Sequence, residues 1–365
     1  LVTSISKLER YRSCPFSYYL QYGLKIKPEE ELKIQTLNTG TFIHEIIDEF
    51  FEAVREAGIK LAEITDEQLA EIINKIIDEK LKQSQNYIFT STAKYRALVV
   101  RLKKIIQKAL KYIIGTLVQS RFEVLGTEVE FGEKGKYKPI RLTLEDGKRI
   151  EIIGKIDRID TAQSEDGRYL RIIDYKSSAR NVDLNEVYAG ISIQLLTYLD
   201  AICEEKDFLP AGILYFNLIE KNVSPKAKTE EVIEEEIRKQ FKMKGLILAD
   251  IEVMKMQDNN LKEGVTSKIL PAGISAKGEI SKRDTNGVNK EEFEILQKYI
   301  KRIIKQIGEE ILQGKIDLKP TNHKGNTPCQ YCEYHSICGF DARNNQNKYE
   351  YIENLSKDDI IRKMK

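Results

Sequence analysis

Two carboxylates and a lysine lie near the ends of apolar strands. In Leu170-Arg171-Ile172-Ile173-Asp174-Tyr175-Lys176, the two-residue period of a strand places Asp174 and Lys176 on one face. Asp157 comes late in the preceding apolar segment, which can lie next to this one. Carboxylates at neighbouring strand ends suit Mg²⁺ or Mn²⁺, and a nearby ammonium can orient an attacking water and offset phosphoryl charge. The pattern predicts metal-assisted chemistry on a phosphate.

An isolated Asp-x-Lys is most often a surface ion pair at a hairpin end. Here a Gly-x-x-Asp strand precedes it, and Gln194 and Tyr198 lie one turn apart on a helix that follows, which favours a catalytic site. His44 would ordinarily be a satisfied core histidine of a long amphipathic helix. Its setting in Gly40-Thr41-Phe42-Ile43-His44, ahead of these strands, instead predicts a metal ligand, and an imidazole beside carboxylates favours tolerance of Mn²⁺.

The cysteines indicate a second centre. Five cysteines without an export signal argue against a disulfide framework. Cys329, Cys332 and Cys338 are closely spaced, and Cys14 can join them if the two ends of the chain meet. Four thiolates suit one [4Fe-4S] cluster with a structural role, and zinc is the alternative because His335 could replace a thiolate. Cys203, on an apolar helix face, is predicted to be a small buried hydrophobe.

Composition limits the partners. The 59 Lys and Arg residues nearly balance the 57 Asp and Glu residues, so any DNA contact must come from a local patch. No apolar run reaches the roughly 18 residues of a membrane span and no secretory signal is visible, so we expect a cytoplasmic chain with no membrane contact. The sequence lacks a Walker A loop and should not itself hydrolyse ATP. The candidate DNA-contact residues are Lys176, Arg180, Lys319, Lys324, Arg101, Lys103, Lys104 and Lys108.

Periodicity predicts an α/β fold. Helical spacing covers Thr39–Gly58, with Thr39 or Thr41 as N-cap, and then 66–83 and 94–119. Short segments rich in β-branched residues follow and predict four strands of one sheet: 122–132, 140–144, 149–160 and 169–176. A helix over 192–203, a strand over 211–218, a helix near 230–241 and a long helix over 291–313 complete the pattern.

We expect one nuclease domain over 1–365, within which six segments differ in pattern. They are an N-terminal strap (1–38) with the first cluster cysteine and an exposed connection near 25–33, a helical block (39–120), a catalytic α/β core (121–220), an insertion (221–290), a C-terminal helix and cluster segment (291–345), and a tail (346–365). Because Leu1 is not a natural start, we expect an excised C-terminal portion of a longer polypeptide.

These motifs resemble those of a known family. Their order and spacing are similar to those of the PD-(D/E)XK nucleases of the RecB class, through Gly40-Thr41-x2-His44, Gly154-Lys155-Ile156-Asp157-Arg158, Asp174-Tyr175-Lys176 and Gln194-x3-Tyr198. More narrowly, the chain resembles the C-terminal part of the AddB family, through Ser6-x-Leu8-Glu9, Cys14-Pro15-Phe16-Ser17-Tyr18, Phe241-Lys242-Met243-Lys244-Gly245-Leu246 and Cys329-x2-Cys332-x5-Cys338.

The resemblance implies a central mixed sheet flanked by helices, as in restriction endonucleases, with an iron-sulphur clasp joining the chain ends. It implies that His44, Asp157, Asp174 and the Tyr175 carbonyl bind the metal, that Lys176 is the catalytic lysine, and that Gln194 and Tyr198 support substrate. It places the cluster on Cys14, Cys329, Cys332 and Cys338. It further implies an AddA-type helicase-nuclease partner, and cutting of single-stranded or unwound DNA at double-strand breaks in the 5′-to-3′ direction.

Two other interpretations stay open. A catalytically silent, cluster-stabilised DNA-binding module would guide a strand to a partner without cutting it. A CRISPR-associated cluster nuclease shares the order of cysteines and active-site residues, but is usually shorter and lacks the long insertion after residue 220. The intact acids and lysine argue against the first, and the length argues against the second.

Overall fold

The computed structural model describes residues 1–27, 36–83, 88–218, 229–344 and 347–365. Its helices are α1 (Ile5–Ser13), α2 (Pro15–Tyr18), α3 (Thr36–Glu56), α4 (Asp66–Lys80), α5 (Ile88–Ser91), α6 (Ala93–Val118), α7 (Leu184–Ala189), α8 (Gln194–Lys206), α9 (Glu230–Phe241), α10 (Ile251–Gln257), α11 (Lys290–Leu312), α12 (His335–Cys338) and α13 (Lys357–Met364). Its strands are β1 (Val2–Thr3), β2 (Glu123–Phe131), β3 (Ile140–Thr143), β4 (Arg149–Ile152), β5 (Gly154–Ser164), β6 (Gly167–Lys176), β7 (Leu209–Asn217), β8 (Lys244–Leu248), β9 (Gly287–Val288), β10 (Thr321–Asn322) and β11 (Glu350–Tyr351).

A six-stranded mixed sheet, in the order β2-β5-β6-β7-β8-β9, forms the centre. The strand β6 runs antiparallel to β5 and parallel to β7, and the return between β6 and β7 is made through α7 and α8. Helix α8 packs on one face of the sheet with α11 behind it, and the block of α3, α4 and α6 covers the other face. The predicted central mixed sheet flanked by helices is therefore confirmed.

The prediction that four strands share one sheet is wrong. The predicted strand over 149–160 is interrupted at Ile153 and forms parts of two strands. The first of these, β4, joins β1 and β3 in a separate three-stranded sheet. Alternation with period two is the same in either sheet, so it could not decide which strands pair. Side chains of this small sheet pack against α11 at Gly308, where an added Cβ would lie 2.0 Å from Ile150 Cδ1.

The helical predictions are largely confirmed, with small shifts at the ends. Thr65 forms a capping box at the start of α4, and Asn289 forms one at the start of α11. Helix α3, however, begins at Thr36, so Thr39 and Thr41 lie inside it and neither is its N-cap. Threonine costs a helix interior only a few tenths of a kcal/mol, so it need not mark a boundary.

Two predicted segments fall partly on residues that are not described. The exposed connection near 25–33 lies largely outside the described ranges, as does the first part of the expected insertion at 221–228. The rest of 221–290 contains α9 as predicted, but it also supplies β8 and β9 to the central sheet. Within the described ranges, no helix combines the length and apolar character that crossing a membrane requires.

The two ends of the chain meet beside α8 and α11. Tyr11 Oη donates to the carbonyl of Lys315 at 3.0 Å, and Tyr334 Oη donates to the carbonyl of Ile26 at 2.9 Å. The amide of Phe16 donates to a carbonyl of the C-terminal segment at 3.3 Å. These bonds hold Cys14, between α1 and α2, next to the segment that carries the other three cysteines of the predicted cluster.

Candidate active site and cysteine group

Asp157 and Asp174 meet because β5 and β6 pair in antiparallel register. Arg158 lies opposite Ile173, so one further step of the same register sets the two carboxylates side by side. The amide of Tyr175 donates to Asp157 Oδ2 at 2.8 Å, which fixes the Asp157 side chain at the strand end. The sequence-predicted carboxylate pair is thus brought together.

His44 reaches this pair from α3, on the other side of the strand ends. Its Nε2 lies 2.9 Å from the Tyr175 carbonyl oxygen and its Nδ1 lies 3.4 Å from Asp157 Oδ2. Burial lowers the pKa of His44, but hydrogen bonding and attraction to Asp157 raise it by more, so the pKa lies above its ordinary value. Two adjacent ligands of an octahedral cation are about 3 Å apart, so the spacing between His44 Nδ1 and Asp157 Oδ2 suits two ligands of one ion.

Glu128, on β2, is an acidic member of the site that the sequence did not single out. Its carboxylate, His44 Nδ1 and an Asp157 oxygen all lie within 4.8 Å of one another, as ligands of one metal ion would. Glu128 has a φ of +46°, in the left-handed region, and the register of β2 on β5 sets it opposite Asp157. Its other oxygen forms an ion pair with Lys155. One imidazole and two carboxylates are a donor set that suits Mn²⁺ and tolerates Mg²⁺.

Asp174 and Lys176 point into the site from the same face of β6. The Lys176 ammonium lies 2.6 Å from Asp174 Oδ2, and the Asp174 side chain is buried. Burial, followed by the neighbouring charge of Asp157, raises the pKa of Asp174 to about 6. Burial opposes the charge of Lys176, but attraction to Asp174 outweighs it and its pKa is raised. The lysine therefore stays charged beside the carboxylates.

Gln194 and Tyr198 lie on the first two turns of α8 and share a side-chain hydrogen bond. Tyr198 is only 2% exposed and stacks on Phe131, with ring centroids 5.4 Å apart. Its hydroxyl occupies the space that a side chain at Gly154 would need, since a Cβ there would lie 2.0 Å from Tyr198 Oη. The pair is thus anchored against the strand that carries Asp157, with Tyr198 inside the core.

A fully buried ion cluster lies behind the site. Asp160 Oδ2 accepts hydrogen bonds from Arg158 Nη2 and Arg171 Nε, both at 3.0 Å, and all three side chains are 0% exposed. Arg158 Nη1 also donates to Tyr175 Oη at 3.1 Å. Because the Tyr175 carbonyl faces His44, this cluster supports the metal-ligand side of the site from within the core.

Four cysteines line one small cavity where the chain ends meet. They are Cys14, Cys329, Cys332 and Cys338, and we call them the cysteine group. None forms a disulfide, and Phe16, Leu20 and Phe340 add an apolar lining. Burial, and then the charges of the other thiols, raise the pKa of Cys329 to about 11. Four unpaired thiols around one cavity fit either a [4Fe-4S] cluster or zinc, and His335 also lines it.

Comparison with known proteins identifies the family. A family model described as the PD-(D/E)XK nuclease superfamily matches residues 2–339. The chain belongs to the PD-(D/E)XK nuclease superfamily. A relative from Acetivibrio thermocellus, named as a subunit of an ATP-dependent helicase/deoxyribonuclease, is 37% identical over 366 residues, covering 98% of this chain and 32% of the relative. The protein of the same name from Clostridioides difficile is 38% identical over 372 residues, covering 99% and 32%. The chain spans about a third of the length of these relatives.

Asp157 and the Asp174-Tyr175-Lys176 segment, on which the sequence resemblance rests, lie together in the structure. The other basic candidates for DNA contact are more scattered. Arg180 is exposed just after β6, whereas Lys319 and Lys324 already face carboxylates at 3.8 Å and 3.1 Å. The basic run on α6 lies on the helical block, where one of its lysines pairs with Asp78 at 2.8 Å. Cys203 is buried in the core against the sheet, as predicted.

Proposed function

We propose that this chain hydrolyses DNA phosphodiester bonds with the help of Mg²⁺ or Mn²⁺. The observation that carries the proposal is the convergence of His44, Asp157, Asp174 and Lys176 at the ends of β5 and β6, within a PD-(D/E)XK nuclease chain. An imidazole, acidic oxygens and a charged lysine at one point are what metal-assisted phosphate chemistry requires.

His44, Asp157, Asp174 and the Tyr175 carbonyl would hold the cation, with Glu128 as a further acidic neighbour. When bound, a divalent cation supplies Lewis acidity to the phosphate and lowers the pKa of a nearby water. Lys176, kept charged by Asp174, offsets the negative charge that develops on the phosphate oxygens.

The substrate side of the site depends on α8. Gln194 is partly exposed on the first turn of this helix and can contact a bound strand, whereas Tyr198 is buried and acts by holding Gln194 in place. This division of roles makes Tyr198 a positioning residue and leaves Gln194 as the one of the pair that can contact DNA.

The wider role rests on the relatives. Both are named as one subunit of an ATP-dependent helicase/deoxyribonuclease. We propose that this chain is the nuclease part of an AddAB-type enzyme, that it pairs with an AddA-type helicase-nuclease subunit, and that it cuts unwound single strands 5′ to 3′ in double-strand-break repair. Its free thiols are consistent with work in the reducing cytoplasm.

For the cysteine group we propose one [4Fe-4S] cluster with a structural role. Its position between α1 and the C-terminal segment supports this, because a cluster there would tie the two ends of the chain together. Anaerobically purified protein should be brown and contain four iron atoms per chain, as expected for this cluster type. Colourless protein with one zinc atom per chain would show that the site holds zinc rather than a cluster.

The test of the nuclease is cleavage of end-labelled single-stranded DNA by anaerobically purified protein in Mg²⁺, Mn²⁺ or EDTA. We expect cleavage with either metal, none in EDTA, and a loss of at least about 100-fold in Lys176→Ala. Lys148→Ala, at an exposed turn, is the matched control and should cut like the wild type. Wild-type cleavage that persists in Asp174→Ala would contradict the assigned site.

A binding assay and a pull-down, done beside the cleavage assay, separate the remaining alternatives. A DNA-guiding module would bind the labelled strand without cutting it in any metal, and its affinity would not depend on Asp157 or Asp174. A CRISPR-associated nuclease would cut but would show no affinity for an AddA-type subunit in a pull-down with the purified partner.

A further inference from the structure

The helix that carries Gln194 and Tyr198 lacks an N-terminal cap of its own. The residue before its first turn is Ile193, whose side chain has no acceptor. The first amides of a helix have no partner within the helix and need an acceptor from elsewhere. Here two of these amides are satisfied by Glu9, 184 positions earlier in the chain than Ile193: Oε1 accepts from Ile193 N at 2.7 Å and from Gln194 N at 2.9 Å.

Glu9 is also close to the catalytic charges. The positive charges of Arg180 and Lys176 both act on its carboxylate, and Glu9 in turn acts on the hydroxyl of Tyr198. The Glu9 side chain is half-buried and contacts the start of α8. A single carboxylate oxygen thus fixes the turn from which Gln194 projects, next to the lysine of the site.

Helix α1, which holds Glu9, continues directly into the cysteine group. Its last residue is Ser13, and Cys14 follows. Arg12 Nε donates to the carbonyl of Ala189 at 3.0 Å, on the segment that leads into α8. The nine-residue helix α1 therefore ends at the cysteine cavity and contacts the start of α8 through its side chains.

From this geometry we propose that Glu9 is a positioning residue for the nuclease site, which fixes the first turn of α8 and couples the placement of Gln194 to the state of the cysteine group. The proposal rests on the proposed nuclease function for its effect on cleavage. Its structural part, the protection of two amides, does not depend on any activity.

The first measurement is hydrogen exchange at the amides of Ile193 and Gln194 in the full chain. Glu9→Leu removes the acceptor, whereas Glu9→Gln keeps a carbonyl oxygen at the same reach. We expect exchange about tenfold faster or more in Glu9→Leu, and close to wild type in Glu9→Gln. The matched control is Asn289→Ala, which removes a cap from α11 and should leave these two amides unchanged.

The second measurement is a double-mutant cycle on DNA cleavage. Glu9→Leu and Gln194→Ala should each lower kcat/KM by about tenfold or more, and the double variant should lose little beyond either one, because both act through the same side chain. Glu9→Gln should restore most of the cleavage. Asn289→Ala should have no such coupling to Gln194→Ala.

The third measurement tests the link to the cysteine group. Removing its metal with a chelator under anaerobic conditions should speed exchange at Ile193 and Gln194 in the wild type, and should add little in Glu9→Leu. Wild-type exchange rates in Glu9→Leu, equal rates in the Leu and Gln variants, or strictly additive losses with Gln194→Ala would each overturn the proposal. A wild type that cuts no DNA would instead refute the nuclease function, while the exchange data still decide the role of Glu9.

Discussion

Neutralising Asp160 should cost this protein a large part of its stability. Asp160→Asn keeps the shape of the side chain but removes the negative charge between two fully buried guanidinium groups. Arg158 and Arg171 would then lie in the core with two positive charges and no counter-charge. Neither arginine can lose its proton near neutral pH, so the cost cannot be avoided by titration.

The contacts set the size of the effect. Unit charges about 4 Å apart attract by about 4 kcal/mol at an effective dielectric constant of about 20, and Asp160 faces two such partners. In the native protein, the cost of burying the ions offsets part of this attraction. Breaking a buried pair by removing one partner costs about 3–5 kcal/mol. Whole-domain stabilities are about 5–15 kcal/mol, so this loss is a major fraction.

Urea unfolding followed by circular dichroism measures the loss. With an m-value of about 3 kcal/mol per molar urea, the midpoint of Asp160→Asn should fall by about 1 M or slightly more. Asp146→Asn, at an exposed turn beside Lys148, is the matched control and should leave the midpoint in place. Because Arg158 also holds Tyr175, the folded fraction of Asp160→Asn should bind Mn²⁺ more weakly. A midpoint equal to that of the wild type would refute the view that this cluster carries an essential charge.

Three further outcomes follow from individual contacts. Gly154→Ala should lower DNA cleavage about tenfold or more with an unchanged circular dichroism spectrum, because the added Cβ displaces the Tyr198 hydroxyl. Gly132→Ala is the control and should cut normally, because the space around Gly132 is open. In chelated protein, iodoacetamide at pH 8 should label the partly exposed Cys332 and Cys338 well before the buried Cys203, whose pKa burial raises to about 12. Equal labelling of these cysteines by mass spectrometry would contradict this. Burial raises the pKa of Glu9 from 4.5 to about 7, so as the pH rises the carboxyl ionises in the unfolded chain before it ionises in the folded one. The wild type should therefore lose stability relative to Glu9→Gln as the pH rises from about 4.5 to about 7. A difference in unfolding free energy that does not change over that range would show that the site is better solvated.

The sequence predicts well whatever depends on local periodicity. The placement of Asp174 and Lys176 on one face follows from the strand period, and the buried stripe of α11 follows from helical spacing. The approach of Asp157 to Asp174 needed one further assumption, that consecutive strands pair, which is true of β5 and β6.

What the sequence could not predict depends on contacts between distant segments. Glu128 resembles any solvated acid of an edge strand, and its role appears only when the pairing of β2 with β5 sets it opposite Asp157. The membership of β4 in a second sheet depends on β1, almost 150 positions away, as its partner. The capping of α8 by Glu9 leaves no local signal, because Ile193 is an ordinary apolar residue in the sequence.

The meeting of the chain ends has a consequence for how the protein is made. Tyr11 and its partner Lys315 are 304 positions apart, so at about 5–20 residues per second the ribosome needs about 15–60 s to produce the second after the first. During that time α1 can pack on α8 but has no C-terminal segment to dock on. The cysteine group can be completed only after Cys338, at the end of α12, has been synthesised. A metal or cluster held by all four thiols could therefore bind only after the last of these cysteines has been synthesised.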